Sequence, residues 1–133
     1  MGDNREMAAK FEEVLKTGDF GKLGELIRDY ATDDFVEEWP QSGERIRGRD
    51  NAKAINDNYP AMTGSTPQMS VRRISGEGAH WVVEATIDYG DGTPVSYVGI
   101  AELRDGKIAR ITEYFANPFE APAWRSKWVE RIS

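Results

Sequence analysis

The chain has no cysteine and a single histidine, His80. Without thiols there are no disulfides, no thiolate-held metal and no cysteine nucleophile. One imidazole also excludes a multi-histidine metal centre. Carboxylates could still hold a hard cation, but no stretch has the ligand spacing of a calcium-binding loop. Positive charge is in short supply: 17 Lys and Arg stand against 23 Asp and Glu, a formal net charge of -6. That balance disfavours phosphate backbones and anionic lipid, so neither nucleic acid nor a membrane is an expected partner. No apolar run approaches the ~20 residues that cross a bilayer. The opening MGDNREMAAK lacks the apolar stretch of a signal peptide, and Glu6 stands where a myristoylation motif wants Ser or Thr. A cytoplasmic protein is expected. The 133 residues suit one domain, 1–133, large enough to bury a core without staples.

What the chain does have is clear periodicity. Residues 4–17 read as a helix on Met7, Phe11, Val14 and Leu15, with Asp3 and Glu6 as a capping box and Gly18 as the stop. A second helix over 20–31 is capped by Asp19 and striped by Phe20, Leu23, Ile27 and Tyr30. DFVEEWP (34–40) reads as a short strand ended by Pro40, and QSGERIRGRD (41–50) as a polar loop. Asp50 then caps a third helix, NAKAINDNY, which stops before Pro60. From residue 68 the period becomes two. QMSVRRIS, HWVVEATIDY (80–89), VSYVGIAELR (95–104) and KIARITEYF (107–115) read as four strands. Asp105-Gly106 marks a hairpin between the last two. APAWRSKWVERI reads as a C-terminal helix with Trp124 and Trp128 one turn apart. The order is α-α-β-α-β-β-β-β-α, an α+β domain with helices segregated from an antiparallel meander.

One residue is out of place in that pattern. Alternation along the last strand sets Ala109, Ile111, Glu113 and Phe115 on one face. Glu113 therefore sits on the more apolar side, where an ionised carboxylate in a dry core would cost several kcal/mol. The strands are also partly apolar on both faces: Trp81, Val83, Ala85, Ile87 and Tyr89 on one side, Val82 with Glu84 and Thr86 on the other. Three helices can cover one face. A second copy of the sheet could cover the other, so a homodimer through the sheet is expected.

The element order, ATDDFVEEWP and IRGRDNAKAI in the first half, and ELRDGKIARITEYFANP near the end resemble the nuclear transport factor 2-like superfamily. Within it they are most similar to the SnoaL-like polyketide cyclase group. The resemblance implies a cone: a curved antiparallel sheet wrapped around N-terminal helices, with a deep pocket between them. Glu113 would open onto that pocket rather than into a sealed core. Related limonene-1,2-epoxide hydrolases carry two acids near the end of the last strand. Here RITEYFA supplies Glu113 but has Ala116 at the second, and Val82 stands where their arginine would precede Glu84. Related ketosteroid isomerases place a base just before the first strand's proline, where this chain has Trp39, and a second acid near Ile100.

What the resemblance leaves is a pocket carboxylate acting as general acid/base on an apolar carbonyl compound, without cofactor or metal. Glu113 is the first candidate and Glu84 the second. Tyr97, Tyr59 or Tyr30 could donate to a developing enolate. Trp39, Trp81, Phe115 and Trp124 could wall a small apolar or aromatic ligand. The alternative is a non-catalytic ligand-binding or dimeric association module on the same fold. His80 follows a turn and is given no role; Arg45, Arg47 and Arg49 read as a solvated face.

Overall fold

Two aspartates start the N-terminal helices. In the computed structural model, which describes residues 3–132 apart from the side chain of Phe20, Asp3 accepts from the Arg5 amide and caps α1 (Asn4–Lys16). Asp19 accepts from the amides of Gly21 and Lys22 and caps α2 (Phe20–Tyr30). Each side chain satisfies N–H groups that the first helical turn leaves without partners. The α1 stripe is the one its spacing predicts: Met7, Phe11 and Leu15 are buried, with Val14 packed against them. In α2, Leu26 and Ile27 are buried and Leu23 and Tyr30 partly so; the Phe20 side chain lies outside the described residues.

The sheet has six strands: β1 (Ala31–Trp39), β2 (Glu44–Arg47), β3 (Gln68–Glu77), β4 (His80–Asp88), β5 (Pro94–Arg104) and β6 (Lys107–Ala116). They lie in the order β2-β1-β6-β5-β4-β3. The sheet is mixed rather than wholly antiparallel, because β1 runs parallel to β6. Its open, curved concave face holds α1, α2 and α3 (Arg49–Thr63). Phe35, Ile87 and Ile108 are sealed at the centre of that contact.

Four local readings are corrected. The segment expected as a polar loop contains β2, whose four residues pair antiparallel with Val36 to Trp39; polar ERIR becomes a strand because the β1 edge offers it a ladder. Asp50 does not cap α3. Gly48 is the N-cap, without a side-chain bond, and Asp50 lies in the first turn, where its charge faces the positive end of the helix. That helix also continues through Pro60 to Thr63, ending at Gly64 in the left-handed region. Finally, the expected C-terminal helix is a single 3-10 turn, Ala123–Arg125. Trp124 and Trp128 are about three-quarters exposed. Their helical spacing has no surface to dock on, and a short helix without burial is marginal in water.

A β-bulge corrects the face assignment of the last strand. Leu103 pairs with Ile108, yet Glu102 pairs with Arg110, so Ala109 is the extra residue. Ile108 takes the inward place that simple alternation gives Ala109. Beyond the bulge the phase is as expected, with Ile111 and Glu113 buried and Phe115 half-buried on the concave face. On the convex face, Val98 and Tyr114 are exposed among ion pairs such as Arg45–Glu38 (2.7 Å) and Arg110–Glu102 (3.5 Å).

Candidate functional site

The helices do not fill the whole of the sheet's hollow. A cavity of about 580 Å³ remains, walled by α2, α3 and the concave ends of β1, β5 and β6. This is a usual size for a small-molecule site. Glu113 lies within it, 9% exposed. Trp39, the last residue of β1, donates its indole N–H to Glu113 Oε1 at 2.8 Å. Tyr97 on β5 donates its hydroxyl to Glu113 Oε2. Glu37 on β1 reaches the same acid from the neighbouring strand and hydrogen-bonds it. Burial, then the hydrogen bond and the charge of Glu113, push the Glu37 carboxyl up to about 10, against a small opposing pull from the Trp39 indole. At neutral pH, Glu37 is thus held protonated beside Glu113. Burial first, then the Glu113 charge, lifts the Tyr97 hydroxyl well above its ordinary range. Tyr89 is pushed up to about 12, by burial, Tyr59 and Glu113 in that order.

Aromatic rings complete the walls. Phe115 lies edge-on to Trp39 with centroids 6.5 Å apart and tilts against Tyr97 at 5.4 Å. Tyr59 from α3 and Tyr89 after β4 form a second pair at 6.2 Å. The Tyr97 ring can lie where it does because Gly99, two residues on and paired with Glu113, has no side chain. A Cβ there would sit 2.4 Å from the Tyr97 hydroxyl oxygen and 2.9 Å from Cζ. Gly99→Ala is therefore expected to push the ring off Glu113 and cost ~1–3 kcal/mol by urea denaturation. The cost should shrink in a Tyr97→Ala background; equal costs in both backgrounds would show that the ring is not what the methyl meets.

The family model for the SnoaL-like domain matches residues 8–111. This chain belongs to the SnoaL-like domain family. Among solved structures it is similar to an NTF-2 like protein of unknown function from Burkholderia xenovorans LB400, at 38% identity over 99% of this chain and 100% of that one, with TM-score 0.80. It is also similar to a protein provisionally named a ketosteroid isomerase from Kribbella flavida DSM 17836, at 28% identity over 98% and 90% of the two chains, TM-score 0.80. An LEH-like epoxide hydrolase of M. tuberculosis shares the fold at 23% identity over 83% of each chain, TM-score 0.62. No curated protein matches the chain.

In this SnoaL-like domain five residues singled out from sequence meet at the cavity: Trp39, Tyr59, Tyr97, Glu113 and Phe115. Four others do not. Glu84 points to the convex face and pairs with Arg73, because the period of two that buries Val83 and Ala85 turns residue 84 away. Trp81 packs against the edge of the core and donates to the Gly78 carbonyl at 3.1 Å, outside the cavity. Trp124 stands in the exposed tail. Tyr30 is held at the surface, its hydroxyl 3.2 Å from Lys10 Nζ. Glu37 is the site residue that the sequence reading missed. Its signal was present in FVEEW, where Phe35, Glu37 and Trp39 share one strand face. Among the described residues no group of three or more His, Asp or Glu is gathered as metal ligands.

Proposed function

We propose that this SnoaL-like domain binds a small molecule in its cavity and moves a proton on it, with Glu113 as base and Glu37 as acid. The observation that carries this reading is the pair itself: two carboxyl groups side by side in one mainly apolar cavity, with burial and the neighbouring Glu113 raising the Glu37 carboxyl. Environments that separate two acids in this way are how a fold obtains both roles at once. For a carbonyl compound with an acidic α-carbon, the C–H bond breaks and its proton passes to a Glu113 oxygen. The electron pair moves onto the carbonyl oxygen, which the Glu37 O–H meets as a hydrogen bond. Negative charge shifts from Glu113 to the enolate oxygen without any net charge entering the cavity. Return of the proton at another carbon isomerises the compound; attack by the enolate on an electrophilic carbon of the same molecule closes a ring.

Proton exchange tests this directly. Deuterium uptake at the α-carbon of 4-phenylbutan-2-one in D2O, followed by NMR, should run roughly tenfold or more above the buffer rate, since positioned general bases contribute about 10²–10⁴-fold. The second reading, a module that holds its ligand unchanged, is favoured by the three donors that already occupy Glu113. A ketone that binds yet exchanges only at the buffer rate would establish that second reading and remove the first.

A further inference from the structure

We infer that the ligand for which this cavity is built carries a positive charge: an amine on an apolar skeleton, its ammonium seated between the Glu113 carboxylate and the aromatic wall. This rests on the small-molecule part of the reading above and favours its second form, in which the ligand is held unchanged, because an ammonium on Glu113 occupies the base.

Charge is the first indication. Among the described residues lining the cavity there is no Lys, Arg or His, but there are four acids: Asp19, Glu37, Asp57 and Glu113. Two of these are occupied elsewhere. Asp19 caps α2, and Asp57 pairs with Lys53 at the helix surface. Glu37 supplies a hydrogen bond. That leaves Glu113, which is buried and met, among the described residues, by an indole, a phenol and a carboxyl group. All three partners are neutral. Buried glutamates are ordinarily matched by a cation, and by contrast the acids on the convex face are so matched: Glu84 by Arg73, and Glu38 by Arg45 and Arg110. Among the described residues lining the cavity, none supplies Glu113 with such a counter-ion.

The walls point the same way. Trp39, Tyr97 and Phe115 form one aromatic cluster around the Glu113 oxygens, and Tyr59 with Tyr89 a second. Ring faces attract cations, most strongly where water is excluded. An ammonium placed there would gain both the carboxylate and the rings. A carboxylate or phosphate ester would meet Glu113 with no compensating charge within reach. A neutral guest would find apolar contact but leave the acid uncompensated.

Three probes with one skeleton separate these cases: 4-phenylbutylamine, 4-phenyl-1-butanol and 4-phenylbutyrate, titrated calorimetrically into the protein at pH 7. The amine should bind roughly tenfold or more tighter than the alcohol, as expected for a desolvated cation between a carboxylate and aromatic faces, and the butyrate weakest. In Glu113→Gln the amine's advantage over the alcohol should vanish. The wild-type ranking decides the matter even if that variant does not fold. Alcohol binding as tightly as amine, or butyrate matching either, would overturn the charge inference and leave the small-molecule reading in place. Failure of all three to bind would overturn both.

Discussion

Glu113→Gln is expected to return deuterium uptake by the ketone to near the buffer rate, since the contribution of a positioned general base is lost, with only a small change in thermal midpoint. The two halves of that expectation have separate causes. An amide cannot take a proton from carbon under these conditions, so the base is lost outright. It does keep the size and planarity of the carboxylate. Its oxygen can still accept from Trp39 or Tyr97, and its NH2 can meet the other groups, so little packing is disturbed. Wild-type rate should also fall as pH rises through about 10, where Glu37 gives up its proton. A Glu113→Gln protein that exchanges at the wild-type rate would take Glu113 out of the chemistry. One that unfolds would instead mark the residue as structural.

Glu37→Gln should stabilise the fold, and more so as pH rises. The folded Glu37 carboxyl titrates at about 10, against an ordinary value of 4.5. Between those limits the native state holds a proton that the unfolded chain has released. Stability falls with pH wherever the folded state binds more protons, so this group's contribution is complete below about 4.5 and is lost progressively toward about 10. Glutamine has no such proton to lose. It can keep donating to Glu113. The gap between variant and wild type should be near zero at pH 4 and reach on the order of 1–4 kcal/mol by pH 8, from ~1.4 kcal/mol per pKa unit with allowance for partial contact with water in the cavity. Urea denaturation at pH 4, 6 and 8 would measure it. A gap that is constant across that range would mean that Glu37 is not held protonated by the fold.

The fold was legible where local signals agreed. Asp3 and Asp19 mark the helix starts that the structure uses, and alternation in 80–88 and 95–104 places Val83, Ile87 and Tyr97 inward. Glu113 was legible as an acid on an apolar face for the same reason. Glu37 obeys the same period of two, two residues before Trp39, but it stands beside Glu38 and the two acids look alike until the strand has neighbours. Only then does one meet Arg45 and the other Glu113. The rest depended on tertiary partners that no spacing encodes. ERIR became a strand because an edge was free. The tail's tryptophans kept their spacing and lost their helix for want of a docking surface. Glu84 and Trp81 follow the alternation faithfully but lie too far along the sheet, or on the wrong side of it, to share the hollow.

Ala109 shows how much hangs on one unpaired residue. It adds a single step to β6 between Ile108 and Arg110, and every side chain from there to Ala116 inherits its phase. Were Ala109 drawn into the ladder opposite Glu102 instead of bulging out, the outward set of Arg110, Thr112 and Tyr114 would turn inward and the carboxylate at 113 would face the solvent. The bulge just after the 105–106 hairpin is thus under the same constraint as the identity of the acid, whereas the exposed stretch beyond residue 117 carries no such requirement.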